Sequence, residues 1–292
     1  MSQLPDILGP YRLTKYIRSG SSSQIWEAIR DQKDRFILKV LRPDHWGNKD
    51  EIALLKHEFE VGSSLKHPSI IRIHEFNMEG KIAYLVLDVF SPLNVKQAMR
   101  ENHAQVLVHF AKIAEQMATS LGHMHEKKWV HCDVKPDNFL LNDDGTVKLI
   151  DFTISQKAAT GMLGRMFGGQ KVIRGTRSYM SPEQIRGKPL DGRADIYSLG
   201  CVFFELLGGK PPYTGDSPND LLQKHLTAGI PSVVVQNDNV MPELAALIRR
   251  MIAKKAEDRP SSMAEVMKEL RASKPFKVAP KLPAKAEAES EE

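Results

Sequence analysis

Cysteine is scarce in this sequence, and long apolar stretches are absent from it. The 292 residues include two cysteines, Cys132 and Cys201, which lie far apart in the sequence. A disulfide framework is therefore not expected, and a reducing compartment is favoured. No apolar run approaches the roughly 18 residues that a membrane-spanning helix needs. The first ten residues also lack the basic region and apolar core of a secretory signal. We accordingly expect a cytoplasmic chain without a membrane span.

Dense basic stripes with interleaved aromatic residues are missing as well, so we do not expect nucleic-acid binding. The net charge is +5. This charge is compatible with an anionic ligand such as a nucleotide, although mild basicity more often reflects a solvated surface. The composition, 41% hydrophobic and 26% charged, is that of an ordinary globular protein. A chain of this length can form one large domain or two lobes.

The pattern of apolar residues divides the sequence into a strand-rich first part and a helical second part. Short segments rich in branched and aromatic residues predict strands at 11–17, 23–30, 34–41, 70–76 and 82–90. One helical pattern interrupts them at 48–65. After residue 94 most patterns are helical, and they fall at 94–128 (two helices), 194–209, 219–229, 242–253 and 261–272. The sequence therefore predicts an α+β fold, with an antiparallel sheet and one main helix followed by a mostly helical part.

Four polar residues beside two short predicted strands could form a site for phosphate chemistry. Asp133 and Asp151 each adjoin such a strand, so a strand–turn–strand unit would bring both to one edge. Asn138 adds a neutral oxygen, and Asp with Asn is a typical ligand set for Mg²⁺. Asp133 would then be free to orient a hydroxyl, and Lys135 could neutralise charge on a transferring phosphoryl group. One such residue alone would be explained better as a turn former, but four in this order are not.

Lys39 and the turn at residues 19–23 are weaker signals. Lys39 lies in an apolar strand pattern, where a lysine is costly unless it is paired or binds an anion. Glu58 on the following helix could reach it, although a lysine extending to solvent from an edge strand explains the pattern equally well. The small residues of the turn could present backbone N–H groups to phosphates. Taken alone, the turn is better explained as an ordinary hairpin.

Together these features follow the order of a known set of motifs. In chain order they are the small-residue loop 19–23, Lys39, Glu58, HCDVKPDN (131–138), DFT (151–153) and SPE (181–183). This order resembles the signature of the protein kinases. Lys135, followed by proline, resembles the serine/threonine class rather than the tyrosine class. Asp195 and Arg259 also fall where that family has structural residues, and the family pattern implies that Glu183 pairs with Arg259.

The resemblance spans about residues 11–272 and implies a bilobal protein kinase fold. The N-terminal lobe would comprise residues 11–88 and the C-terminal lobe residues 91–272. Residues 273–292 lack apolar periodicity and are rich in Pro, Ala, Lys and Glu. We expect them to form a flexible tail or a linker.

The resemblance also implies ligands and a role for each matching residue. ATP would be the phosphate donor, Mg²⁺ or Mn²⁺ the metal, and a Ser or Thr hydroxyl of a protein substrate the acceptor. Asp133 and Lys135 would be catalytic, and Asn138 and Asp151 would hold the metal. The residues implied in nucleotide binding are Ile17, Gly20, Ser21, Ser22, Ser23, Ile25, Ile37, Lys39, Glu58, Leu87, Asp88, Phe90 and Leu140.

Within that set the resemblance implies distinct contacts. Lys39 would bind the α- and β-phosphates, held by an ion pair to Glu58. Adenine would stack between Ile25 and Ile37 on one side and Leu140 on the other. The gatekeeper and the two hinge residues that offer backbone groups would be Leu87, Asp88 and Phe90. Outside the set, the threonine at position 176 would pack near the 131–138 loop.

Five positions outside the 131–138 loop depart from the family pattern. Arg18 and Ser23 replace the first and third loop glycines, so we expect a stiffer loop; Arg18 would touch phosphate or, by default, fold outward. Ile37 replaces a small residue and would crowd the adenine. Gly62 stands where a hydrophobic residue bridges the lobes, and this would weaken the helix and remove a packing contact. Thr153 replaces the glycine after Asp–Phe and would restrict the hinge there.

Cys132 stands where the family usually has an arginine next to the catalytic aspartate. That arginine typically pairs with a phosphorylated residue of the activation segment. Without it, we expect the active arrangement not to depend on that phosphorylation. A redox-sensing thiol is the competing interpretation, but a cysteine beside a buried acid should have a raised pKa, which favours a structural thiol.

Two functions remain open at this level. An active ATP- and Mg²⁺-dependent serine/threonine kinase is favoured because each residue with a direct chemical role is present. A pseudokinase, a nucleotide-binding or scaffold module with the same fold, is favoured by the altered loop and by Ile37, Gly62 and Thr153. The sequence does not reveal the protein substrate, the upstream signal or the oligomeric state.

Overall fold

The computed structural model describes residues 4–159 and 175–282. The N-terminal lobe contains a six-stranded antiparallel sheet with the strand order β1-β2-β3-β4-β6-β5. Its strands are β1 (Ile7–Leu8), β2 (Tyr11–Ser19), β3 (Ser23–Arg30), β4 (Asp34–Leu41), β5 (Ile73–Glu79) and β6 (Ile82–Leu87). The β3–β4 hairpin turns through Asp31 and Gln32, both with positive φ. Its register places Ile25 opposite Lys39, so residues of both strands face the same side of the sheet.

Helix α1 (Lys49–Ser63) packs against β5 and β6. Asn48 caps its start by accepting hydrogen bonds from the backbone N–H groups of Asp50 and Glu51, and these two acids also suit the positive end of the helix dipole. The buried face of α1 includes Leu55 and, unusually for an acid, Glu58. The helix therefore carries one charged side chain toward the interior of the lobe.

Backbone hydrogen bonds join the N-terminal lobe to the second half of the chain. The N–H of Ile71 donates to the carbonyl of Leu149 at 3.0 Å, and the N–H of Leu149 donates to the carbonyl of Ser69 at 2.9 Å. The predicted strand at 70–76 consequently starts only at Ile73, because the residues before it pair with the other lobe. This link fixes the position of Asp151, two residues beyond Leu149, relative to the sheet.

The C-terminal lobe is mostly helical, as predicted. Its helices are α2 (Val95–Val108), α3 (Phe110–Glu126), α4 (Pro182–Ile185), α5 (Gly192–Gly208), α6 (Pro218–Thr227), α7 (Pro242–Met251) and α8 (Met263–Ala272). Two short antiparallel pairs join β7 (Trp129–Val130) to β10 (Gln156–Lys157) and β8 (Phe139–Leu141) to β9 (Val147–Leu149). Nearly all of α5 is buried, which agrees with its continuous apolar sequence. The predicted α+β architecture is confirmed; β1, β7, β10 and α4 were not predicted, being too short for a periodic pattern.

The chain beyond α8 remains attached to the C-terminal lobe as far as Val278. Phe276 is 7% exposed, and its ring lies 6.0 Å from that of Phe110. Asn239 exchanges hydrogen bonds with the backbone of Val278. The docked segment thus extends past the predicted start of the tail at residue 273; the domain boundaries and the tail stay predictions. Among the helices of 4–159 and 175–282, none is long and apolar enough to cross a membrane.

Candidate active site

A cleft of about 720 Å³ lies between the sheet and the helical lobe. Every residue predicted for catalysis, nucleotide binding or metal binding lines it. They are Ile17, Gly20, Ser21, Ser22, Ser23, Ile25, Ile37, Lys39, Glu58, Leu87, Asp88, Phe90, Asp133, Lys135, Asn138, Leu140 and Asp151. The fold therefore brings together residues from five strands, one helix and several loops at a single place.

Lys39 forms an ion pair in the depth of this cleft. Its Nζ lies 2.6 Å from Oε2 of Glu58 and 3.7 Å from Oδ1 of Asp151. The Glu58 side chain is only 2% exposed, so a lysine and a glutamate that would each be costly to bury alone neutralise each other. The sequence left Lys39 undecided between a paired and a solvent-directed position; the structure places it in the pair.

The pKa shifts of Lys39 and Asp151 keep these two groups charged, whereas burial raises the pKa of Glu58. Burial lowers the pKa of Lys39, but the carboxylates of Asp151 and Glu58 outweigh it and raise the pKa above its usual value. Desolvation raises the pKa of Asp151, but Lys39, the hydrogen bonds from Thr153 and the nearby His131 together hold it well below its usual range. At neutral pH the cleft thus contains a cation beside an ionised carboxylate, as binding of a metal and a phosphate requires.

Asp133 is held by three hydrogen-bond donors in the 131–138 loop and beyond it. Lys135 Nζ lies 2.7 Å and Asn138 Nδ2 3.2 Å from its Oδ2, and the backbone N–H of Thr176 donates to its Oδ1 at 2.8 Å. Lys135 Nζ also donates to Thr176 Oγ1 at 2.8 Å, so Thr176 packs against the loop as expected. Since Asn138 directs its amide N–H groups toward Asp133, its amide oxygen is the atom available to a cation.

The strained backbone of the 131–138 loop is stabilised by the buried Asp195. Cys132 has φ +68° and Asp151 has φ +66°, both in the left-handed region that is strained for such residues. Asp195 of α5 accepts hydrogen bonds from the backbone N–H groups of His131 at 2.8 Å and of Cys132 at 3.0 Å. His125 lies 2.8 Å from the same carboxylate. The buried Asp195 therefore fixes the strained turn that presents Asp133.

Apolar residues form the outer part of the cleft. Ile37 pairs with Leu87 across β4 and β6, and Leu140 of β8 lines the cleft from the other lobe. At the connection between the lobes, the backbone N–H of Asp88 donates to the carbonyl of Arg72 at 3.1 Å. Asp88 and Phe90, the two predicted hinge residues, line the cleft at this connection.

A family model for the protein kinase domain matches residues 11–271. The chain belongs to the protein kinase family. The resemblance noted in the sequence is thereby confirmed, and so is the bilobal kinase fold that it implied.

Curated bacterial kinases are similar to this kinase over most of its length. The serine/threonine-protein kinase PrkC of Bacillus subtilis is 32% identical over 249 residues, which is 85% of this chain and 38% of that protein. A probable serine/threonine-protein kinase of Clostridium acetobutylicum is 30% identical over 265 residues, 89% of this chain and 39% of its own. The serine/threonine-protein kinase PknB of Mycobacterium tuberculosis is 28% identical over 266 residues, 89% of this chain and 42% of its own. The kinase spans about two fifths of these relatives.

The phosphate loop of this kinase does not need the family's missing glycines to adopt its conformation. The N–H of Gly20 donates to the carbonyl of Ser23 at 2.7 Å, which closes the turn between β2 and β3. In the described range 4–159, no residue from 18 to 23 has a positive φ. A side chain at Gly20 would meet Ser23 no closer than 3.6 Å. Arginine and serine therefore fit this loop without backbone strain.

Gly62 of this kinase does not leave the gap that the sequence suggested. A Cβ at this position would lie 2.4 Å from Cδ1 of Ile73 and 3.0 Å from Cδ2 of Phe152. Ile73 is 4% and Phe152 0% exposed, and the ring of Phe152 contacts His131 at 5.8 Å. The expected loss of a packing contact between the lobes is therefore wrong, because Ile73 fills the space beside Gly62.

Two residues at the cleft differ from the favoured expectation: Arg18 follows the less favoured of its two alternatives, and Thr153 makes contacts that were not foreseen. Arg18 lines the cleft rather than following the default of folding outward; burial lowers the pKa of its guanidinium, against the opposing effect of Asp151 and Asp137. Thr153 does more than restrict a hinge, because its hydroxyl contacts the carboxylates of Asp151 and Glu58. Arg18 stood at an expected glycine, which was the only signal available for it.

Cys132 of this kinase is a buried thiol. It is 5% exposed, and its Sγ donates to the carbonyl of Val130 at 3.4 Å. Burial, and then the negative charge of Asp195, raise its pKa well above the usual value. These properties agree with a structural role and do not match the exposed, low-pKa thiol of a redox sensor.

Proposed function

We propose that this chain is a protein serine/threonine kinase that transfers the γ-phosphate of ATP to a Ser or Thr hydroxyl with the help of Mg²⁺ or Mn²⁺. One observation carries the proposal: the Lys39–Glu58 ion pair, at 2.6 Å, shares a cleft with the carboxylates of Asp133 and Asp151. Three similar bacterial proteins bear the name serine/threonine-protein kinase. The protein substrate is the acceptor that this chemistry requires.

Each group in the cleft suits one part of phosphoryl transfer. Asp133 is an ionisable carboxylate whose oxygens have capacity beyond the present donors, so a substrate hydroxyl could donate to it. Lys135, 2.7 Å from Asp133, would place a positive charge beside the transferring group. The amide oxygen of Asn138 and the carboxylate of Asp151 are hard oxygen ligands and fit a bound Mg²⁺, which would neutralise phosphate charge. Lys39 would bind the other phosphates.

Lys39→Met tests the proposal. The variant keeps the length of the side chain but removes its charge, and we expect kcat/KM for ATP to fall by roughly 10²–10³-fold, the usual effect of losing one electrostatic contact to the transition state. The assay is transfer of radiolabelled phosphate from ATP to a generic protein substrate, with Mg²⁺ and with Mn²⁺. Lys33→Met, in the exposed β3–β4 turn, is the matched control and should match wild type. Equal transfer by Lys39→Met and wild type contradicts the proposal.

A nucleotide-binding protein without catalysis is the second candidate, supported by Ile37 in the adenine pocket and Arg18 in the phosphate loop. Two measurements distinguish an active kinase from a pseudokinase. An enzyme shows both a metal-dependent thermal shift with ATP and phosphate transfer. A pseudokinase shows the thermal shift without transfer.

We further propose that activity does not depend on phosphorylation read by an arginine at position 132. We expect the triple variant Ser155→Ala, Thr160→Ala and Ser178→Ala to keep its rate within about tenfold, the effect of roughly one lost hydrogen bond. Ser155 is 3% exposed, which makes it a poor phosphorylation site, and Thr160 lies outside the described residues. The initial rate of a phosphatase-treated sample is the measurement. The proposal would be overturned if the triple variant were at least about 100-fold slower than wild type and if phosphatase treatment slowed wild type to the same extent.

A further inference from the structure

The hydroxyl of Thr153 connects two carboxylates that belong to different parts of the fold. Its Oγ1 lies 2.6 Å from Oδ1 of Asp151 and 3.1 Å from Oε2 of Glu58. The backbone N–H of Thr153 also donates to Oδ1 of Asp151, at 3.3 Å. The glycine that the kinase signature has at this position could supply the backbone contact but neither contact of the side chain.

The two oxygens that meet Thr153 are the same two that meet Lys39. Lys39 Nζ lies 2.6 Å from Oε2 of Glu58 and 3.7 Å from Oδ1 of Asp151. Lys39 and the Thr153 hydroxyl thus each contact the same two carboxylate oxygens, one of Glu58 and one of Asp151. A hydroxyl has one proton, which Thr153 shares between the two carboxylates, and its shorter contact, to Asp151, is the stronger one. Lys39 and Thr153 both contact Oδ1 of Asp151, so Oδ2 would be the oxygen that meets a bound cation.

A second contact couples α1 to the same segment. His57, the neighbour of Glu58 on α1, lies with Nε2 2.7 Å from the backbone carbonyl of Ser155, which can only accept, so the histidine donates. Two successive residues of α1 are therefore bonded to residues 153–155. If α1 moved outward, both bonds and the Lys39–Glu58 pair would break together.

We propose that Thr153 is a positioning residue that holds Glu58 and Asp151 in the arrangement for phosphoryl transfer. The proposal rests on the proposed kinase function and explains how this chain could keep that arrangement without a phosphate-binding arginine at Cys132. The hydrogen bond from Thr153 to the Glu58 carboxylate takes the place of the contact that phosphorylation of the activation segment would create. Thr153 would act on a bound metal through Asp151, and it acts on α1 through Glu58.

Thr153→Val and Thr153→Ser separate the hydroxyl from the bulk of the side chain. We expect Thr153→Val to raise the Mg²⁺ concentration that gives half the maximal rate and to lower kcat. The product of the two changes should be roughly 10- to 100-fold, the effect of losing a hydrogen bond to a charged group. Thr153→Ser should remain within about threefold of wild type because it keeps the donor. Thr119→Val is the control, since its hydroxyl donates only to the carbonyl of Gln116, at 3.1 Å, in the helical lobe.

Hydrogen exchange of the α1 amides, residues 49–63, gives a second measurement that does not require activity. We expect exchange in α1 to be roughly tenfold faster in Thr153→Val than in wild type, with Thr153→Ser and Thr119→Val unchanged. The proposal is overturned if valine and serine at position 153 behave alike, in rate or in exchange, or if both match wild type. If wild type transfers no phosphate, the proposed function fails, whereas the exchange experiment still decides the role of Thr153.

Discussion

Asp133→Asn lowers the rate of phosphate transfer by roughly 10²–10⁴-fold, the range that a positioned acid–base group contributes. The amide is nearly the same size as the carboxylate but is a weaker acceptor for the proton of a substrate hydroxyl. It also carries an N–H₂ group, which would face Lys135 Nζ or the N–H of Thr176, both now donors to Asp133. The expected defect is therefore in kcat, with little change in ATP binding, because the proposed nucleotide contacts lie on Lys39 and the sheet.

Steady-state rates with a peptide or protein acceptor measure this effect, and an ATP thermal shift measures binding. Asp143→Asn is the matched control, because Asp143 lies exposed in the β8–β9 turn away from the cleft. It should leave both values unchanged. If Asp133→Asn keeps more than about a tenth of the wild-type rate, Asp133 does not have the catalytic role assigned to it.

Arg259→Ala destabilises the protein by about 3–5 kcal/mol, the usual cost of breaking a buried ion pair from one side. The Arg259 side chain is 0% exposed and binds Glu183 through two hydrogen bonds of 2.7 and 2.9 Å. It also donates to the backbone carbonyls of Arg193, Ala253 and Lys254. Alanine would leave a largely buried carboxylate and three carbonyls without their partner, and would leave a cavity as well.

The free energy of unfolding, measured with urea at neutral pH, checks this prediction. Arg271→Ala is the control, since Arg271 pairs with Glu115 at 2.6 Å on the surface, with the two side chains 61% and 43% exposed. Such a pair contributes about 0–1 kcal/mol. A loss for Arg259→Ala no larger than that of the control would show that the buried pair has no special weight in the fold.

The chemistry of the site could be predicted because its residues lie close together in sequence. Asp133, Lys135 and Asn138 fall within one short loop, and Asp151 follows after one hairpin, so local spacing alone suggested a shared edge. The Lys39–Glu58 pair required the family resemblance, because an apolar strand with one lysine has two equally good explanations. The long helices and the strands of the sheet could be predicted from the periodic spacing of their apolar residues.

The features that were missed depend on contacts between distant segments. Thr153 meets Glu58 across 95 positions, and nothing in either neighbourhood indicates that contact. The space beside Gly62 is filled by Ile73, which reaches it from the sheet. The large side chain of Ile73 compensates for the missing side chain of Gly62. A comparison of the sequence with the family motifs, made one position at a time, detects the glycine but not the isoleucine that packs beside it. At Gly62 and in the 19–23 turn, the departures from the family motifs thus disturb the packing less than the sequence indicated.

The proposed function requires that this cleft be assembled for phosphate transfer as the chain folds. The most direct test is the incorporation of radiolabelled phosphate from ATP, with Mg²⁺, by wild-type protein that a phosphatase has first stripped of phosphate, with Asp133→Asn as background. We expect label on serine or threonine at a rate at least about 100-fold above that background. Incorporation no faster than the background would contradict it.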